Sequence, residues 1–137
     1  MMNDVGDREG RGDNRYGSDW LVWKGSDTFA PLGPFIVPAE FVENPHTLDI
    51  QFRLSGELMQ DANTELMQHS VDELVQFVSN NIILKPGDVI ATGTPGGVGY
   101  ARTPPVFMEP GDLAECSVEG IGTLTNPVMR WEDVMPR

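Results

Sequence analysis

The sequence predicts a mainly β fold with one or two short helices, an α+β arrangement, and three observations carry this expectation. Fifteen glycines and eleven prolines fall in clusters that cut the chain into short pieces, the punctuation of a turn-rich β fold. Leu48, Ile50, Phe52 and Leu54 alternate with polar residues at the two-residue period of a half-buried strand. One segment, opening at Ser70, carries both the start signal and the apolar spacing of a helix.

Taken in order, residues 1–19 carry Asp4, Asp7, Glu9, Asp13 and Asp19 with Arg8, Arg11, Arg15 and four glycines, and read as a loop. Trp20–Trp23 is a short apolar run expected to form a buried strand. In the uncharged block Phe29–Pro38, Pro31 and Pro34 bar a central ladder position until about Phe35. The strand Leu48–Leu54 turns at Ser55–Glu57 and returns through Leu58–Gln60 as a hairpin. Gln60–Thr64 is expected to turn, held by its Asp and Asn side chains. Ser70 and Glu73 have the capping-box spacing, and Val71, Leu74, Val75 and Val78 follow at i, i+3, i+4 and i+7. Asn80 and Asn81 stop that helix, because Asn tolerates a left-handed conformation. Lys85–Asp88 is a turn, Val89–Thr92 a strand and Gly93–Gly99 a glycine-rich loop. Pro110–Asp112 turns into a strand over Leu113–Val118, and Glu119–Gly122 closes a second hairpin to Thr123–Thr125.

At 137 residues the chain suits one domain, and 39% hydrophobic residues permit an ordinary core. A net charge of −12 repels phosphate backbones, so nucleic acids and anionic membranes are excluded as partners. Cys116 is the single cysteine, which excludes an internal disulfide framework and a Cys-only zinc site and fits a reducing compartment. No apolar run is long enough to span a bilayer, and the N-terminus lacks the apolar stretch of a signal peptide. The expected location is the cytoplasm.

Three features bear on chemistry. The acidic cluster Asn3–Glu9 offers a carboxylate to a hard cation such as Mg²⁺, although alone it reads as a solvated loop. Lys24, one of two lysines, emerges after an apolar run, where an ammonium can stabilise an enolate or simply point to water. Gly93-Thr94-Pro95 opens a loop whose backbone N–H groups can approach an anion, with Thr92 or Thr94 adding a hydroxyl. It is not a Walker loop, and a structural turn and a substrate loop both fit it. His46 and His69 lie in no metal-ligand spacing, and Cys116 falls on an apolar strand face as a buried, inert thiol.

In order, Asn3-Asp4-Val5 with Arg8, Lys24, Asp27–Pro34, Gln60-Asp61 with Asn63-Thr64, Lys85–Val98 and Glu119–Leu124 with Asn126–Val128 closely resemble the fumarylacetoacetate hydrolase family. The resemblance runs over residues 3–128, leaving 129–137 as a C-terminal tail. It implies a mixed β-sandwich roll of that family's C-terminal type, using Mg²⁺ or Mn²⁺ on small β-diketo or 2-oxo acids, with acylpyruvate-like carbon–carbon cleavage among its reactions. By position, Asp4 matches a metal ligand, while Arg8 and Lys24 match catalytic positions. Thr94 in its loop with Gly93 matches the contact to the substrate carboxylate, and Thr28 falls in the block after the lysine as a further substrate-binding candidate.

The pattern also departs from the family. The usual Ser/Thr-x-Arg-Asp after Asn-Asp-Val reads Gly6-Asp7-Arg8-Glu9 here. The resemblance places two further metal carboxylates and a His–Glu pair before Asn3, so it implies an N-terminally incomplete domain, weakly active or inactive alone. A small anionic keto acid is the expected substrate and a homodimer the expected assembly, against the alternative of a non-catalytic remnant that dimerises or binds.

Overall fold

The computed structural model describes residues 1–8 and 20–134. Glu9, Arg11, Asp13, Arg15 and Asp19 of the acidic stretch, and residues 135–137 of the tail, lie outside the described residues. The expected mainly β fold with short helices is what forms. Four strands, β1 (Asp49–Leu54), β2 (Glu57–Asn63), β3 (Leu113–Val118) and β4 (Gly122–Pro127), make one sheet in the order β2-β1-β3-β4, with every neighbour antiparallel. Among the described residues three short α-helices accompany it: α1 (Trp20–Lys24), α2 (Val71–Ser79) and α3 (Trp131–Val134).

Both expected hairpins are present. Ser55 and Gly56 turn the first at φ +48° and +87°, the positive values that match the twist of the flanking strands. Register then sets the core: Ile50, Phe52 and Leu54 pair with Val118, Cys116 and Ala114, so the alternation read from the sequence lands on one apolar face. Between Phe52 and Arg53 the β1–β2 register slips, because Phe52 faces Gln60 and Arg53 faces Leu58. Met59 is the extra residue of this bulge, and the bulge turns it into the core beside Leu54 and Ala114.

Residues 1–3 run back along residues 31–33. Asn3 N donates to Pro31 O at 3.1 Å, Gly33 N donates to Met1 O at 3.1 Å, and Met2 bridges Leu32. The buried Asn3 side chain donates to Asn126 Oδ1 of β4 at 3.3 Å, which ties this segment to the sheet edge and seats Asp4 next to it.

Four sequence expectations need correction. Trp20–Trp23 is helical, not a strand: the helix brings the rings of Trp20 and Trp23, three residues apart, to a centroid distance of 6.3 Å with their planes tilted by 58°. A run this short has no periodicity to separate the two states. Gln60–Thr64 is not a turn, because β2 continues to Asn63. Its Asp and Asn side chains make cross-strand bonds, Gln51 Nε2 donating to Asp61 Oδ1 at 2.9 Å and Asn63 Nδ2 to Asp49 Oδ1 at 2.8 Å, while Asn63 Oδ1 also accepts from Glu65 N at 3.0 Å and caps the short turn Thr64–Leu66 that follows. Val89–Thr92 forms no strand, since no described segment runs beside it to complete a ladder. Finally, α2 has the expected capping box, with Ser70 Oγ accepting from Glu73 N and Glu73 Oε2 accepting from Ser70 N, but its end differs. Asn80 stays right-handed at φ −71°, and Asn81 Nδ2 closes the helix by donating to Phe77 O at 2.7 Å.

Candidate active site

The segment anchored by Asn3 meets the end of α1. Asp7 N donates to Trp23 O at 3.0 Å, and Lys24, the last residue of the helix, turns its ammonium onto Asp4. Nζ lies 3.0 Å from Asp4 Oδ1 and donates to the Asp4 backbone carbonyl at 2.9 Å. Gly6 leaves room for this: a β-carbon there would lie 3.0 Å from Nζ and 3.2 Å from Cε. Only 23% of the Lys24 side chain is exposed, so the ammonium is positioned rather than trailing in solvent.

Arg8 links this pair to the glycine-rich loop. Its guanidinium sits 5.5 Å from the Trp23 ring centroid and 5.1 Å from that of Tyr100, within cation–π range of both. Tyr100 directly follows Gly99, so one arginine bridges α1 and the loop's far end.

The loop is fastened to the bulge of β2. Gln60 Nε2 donates to Thr94 Oγ1 at 3.0 Å, to Pro95 O at 2.7 Å and to Gly96 O at 3.4 Å. Arg102 reaches back from beyond the loop, Nη2 to Met59 O at 2.6 Å and Nε to Gly97 O at 3.1 Å. Gly97, at φ +101°, lies so close to the Met59 carbonyl that no side chain fits.

Of the residues singled out in the sequence, Asp4 and Lys24 are in direct contact, and Arg8 lies between α1 and the loop that carries Gly93 and Thr94. Thr28 is exposed at φ +70° in the turn after α1, and among the described residues no hydrogen bond joins it to Lys24 or Thr94. Sequence reasoning missed Tyr100 and Arg102; their available signal was position, each lying just beyond the last glycine of the loop. It also read Gln60 as part of a turn instead of the loop's main anchor.

Cys116 is half-buried where the sequence predicts a buried thiol, yet it fits the inert reading, because this partial burial pushes its thiol up from the ordinary 9.0 to about 11. An open depression of about 590 Å³ lies on the polar side of the sheet, along Asp49, Gln51, Ser117 and the β3–β4 turn. None of the candidate residues lines it, and its shallow form makes it a surface feature and not the site. The residues present do not fit a divalent ion unaided. Among the described residues no three His, Cys, Asp or Glu side chains are grouped to share one, and Asp4 is a single carboxylate already paired with Lys24.

Residues 1–129 match the family model of the fumarylacetoacetate (FAA) hydrolase C-terminal domain, and the chain belongs to this family. It is 48% identical over 115 residues to "Oxaloacetate tautomerase FAHD2B, mitochondrial" of Bos taurus, covering 84% of this chain and 37% of the relative. The fumarylacetoacetate hydrolase structure from psychrophilic Exiguobacterium antarcticum superposes with a TM-score of 0.85 at 39% identity, over 93% of this chain and 45% of that one. A maleylpyruvate hydrolase from Sphingobium sp. SYK-6, solved with manganese (II) ion and pyruvate, gives a TM-score of 0.67 at 37% identity, over 75% and 36%. The chain thus spans less than half the length of each of these proteins. No helix among the described residues is long and apolar enough to cross a membrane. The bovine relative is named as mitochondrial, which does not support the cytoplasmic expectation.

Proposed function

We propose that this chain supplies the C-terminal part of a catalytic site that acts on small β-diketo or 2-oxo acids, by acylpyruvate-like carbon–carbon cleavage or a related tautomerisation. The observation that carries the reading is the Lys24 ammonium, held 3.0 Å from Asp4 Oδ1 with most of its side chain covered. A fixed cation of this kind neutralises charge as it develops on an enolate oxygen, and it needs no reorganisation to do so. Arg8 adds a second cation for the substrate, Thr94 with Gly93 forms its carboxylate side, and Thr28 is a further substrate-binding candidate in the turn after α1. Keto-acid relatives and the manganese and pyruvate in the Sphingobium enzyme support this assignment.

Mg²⁺ or Mn²⁺ is the proposed cofactor, with Asp4 as one of several oxygen ligands. Because that single carboxylate does not make a site, calorimetry on this chain should show no strong binding of either ion. Residues 3–128 are the proposed family portion, and 129–137 a tail. The test of function is turnover of an acylpyruvate, followed by loss of enol absorbance with added Mg²⁺. The expected result is weak or no turnover by this chain, with any turnover abolished in Lys24→Ala. Robust turnover that survives Lys24→Ala would overturn the reading.

A second reading, a dimerising or binding module without catalysis, is favoured by one observation. Ile36 and Ile83 are 94% and 87% exposed, and Phe41 and Phe77 more than two-thirds exposed, large apolar side chains of the kind a partner surface covers. A homodimer would cover part of it, and light scattering of the purified chain distinguishes dimer from monomer. The proposed compartment is an aqueous one, and cell fractionation decides between cytoplasm and mitochondrion.

A further inference from the structure

We infer that Gln60 is a positioning residue that sets the hydrogen-bonding sense of Thr94 and so makes the glycine-rich loop receptive to a carboxylate; the inference rests on Thr94 being the substrate-carboxylate contact. The three partners of the Gln60 amide decide its orientation. Pro95 O and Gly96 O, at 2.7 and 3.4 Å, are carbonyls that only accept, so the group facing them must be the NH₂ and not the amide oxygen. The same NH₂ lies 3.0 Å from Thr94 Oγ1, which must therefore accept as well. With its lone pair engaged, the Thr94 hydroxyl keeps its own proton to donate elsewhere, the sense required to meet an anionic oxygen.

The loop carbonyls complete the argument. Carbonyl oxygens are the groups that would repel a carboxylate, and three successive ones are drawn toward donors on the sheet side. Gln60 takes Pro95 O and Gly96 O, and Arg102 takes Gly97 O at 3.1 Å. Gln60 touches no substrate in this scheme; it acts through Thr94 and the loop backbone.

The experiment is a titration of the full chain with pyruvate, read by amide NMR shifts of the loop, in the wild type, Thr94→Val, Gln60→Met, Gln60→Glu and the Thr94→Val/Gln60→Met double variant. Gln60→Glu keeps the size but offers only acceptors, so it captures the Thr94 proton and reverses the bond. Gln60→Met and Gln60→Glu are each expected to raise the pyruvate Kd about tenfold, as Thr94→Val does, the loss typical of one hydrogen bond to a charged group. In the double variant the loss should stay within about threefold of either single variant, because both remove the same interaction. Gln60→Met binding pyruvate like the wild type while Thr94→Val is weakened would overturn the role of Gln60 and leave the loop reading standing. Losses that multiply to about a hundredfold would also overturn it, by showing that Gln60 acts independently of Thr94. If Thr94→Val binds as the wild type does, or pyruvate shifts no loop amide, the substrate-loop reading falls and this inference with it. Should Gln60→Met unfold by circular dichroism, the isosteric Gln60→Glu decides alone.

Discussion

Gly97→Ala should destabilise the chain severely, whereas Gly96→Ala, one residue away, should be nearly silent. Gly97 holds φ +101°, where an L-residue is strained by at least roughly 1–2 kcal/mol. Its new β-carbon would also press into the Met59 carbonyl, a backbone group, and lie 3.3 Å from Gln60 Cγ. The side-chain atom can yield, but the carbonyl cannot move without stretching its 2.6 Å bond from Arg102, and charge-assisted bonds are worth roughly 1.5–3 kcal/mol. The sum is about 2.5–5 kcal/mol, a large share of the roughly 5–15 kcal/mol that usually holds a domain together. Gly93 separates the two causes, because it sits at φ +110° with nothing within 4 Å of a β-carbon. Gly93→Ala should therefore show the backbone strain alone. Gly96 has neither a positive φ nor a neighbour within 4 Å, so Gly96→Ala should stay within about 0.5 kcal/mol of wild type. Urea unfolding followed by tryptophan fluorescence measures all three. With a slope of about 2 kcal/mol per molar, the Gly97→Ala midpoint should fall by roughly 1.2–2.5 M. Equal midpoints for Gly97→Ala and Gly96→Ala would refute the packing of the loop on β2.

Three further outcomes follow from the same structure. Cys116 should alkylate about a hundredfold more slowly at pH 8 than an unperturbed thiol, because burial pushes it up from 9.0 to about 11. Since its folded value is the higher one, its contribution to stability is intact below pH 9 and fades as the pH rises toward 11, a slope that Cys116→Ala should remove. Asp112 is held below the usual carboxylate range by the Ser55 hydroxyl and then by the Glu109 N–H. Its contribution is therefore present above about pH 3.8 and lost as the pH falls through its lower folded value, so the wild-type advantage over Asp112→Asn should shrink in acid titrations. Met59→Ala should cost about 2–3 kcal/mol in urea unfolding, the lower part of the usual range, because the core around Leu54 and Ala114 is small.

The sheet was legible because its signals are local. Alternation in 48–54, the Ser55-Gly56 turn and the Glu119–Gly122 turn each specify a hairpin from a few adjacent residues, and the Ser70–Glu73 capping box specifies where α2 begins. The errors fell where a decision depends on distant partners. Trp20–Trp23 has no period to choose helix over strand, and Val89–Thr92 is a strand only if another strand runs beside it. Asp61 and Asn63 look like turn formers, yet β2 runs through both and they bond across the ladder to Gln51 and Asp49, with Asn63 also capping the turn that begins only at Thr64. For the site, Asp4 and Lys24 are twenty residues apart, and no periodicity reveals that they meet. Motif order pointed to them, and the structure supplies the 3.0 Å contact. The anchoring by Gln60 and Arg102 was illegible, because it depends on the β2 bulge that places Met59 and Gln60 against the loop.

The central claim is that Lys24, set against Asp4, is the cation that receives a keto acid. Pyruvate affinity of the wild-type chain and of Lys24→Met, measured side by side by NMR titration, tests it most directly. Removing a positioned ammonium should weaken pyruvate binding by at least about tenfold while the urea midpoint falls little, since a partly exposed ion pair is worth under about 1 kcal/mol. Equal affinity in the two proteins, with the fold intact, would contradict the account.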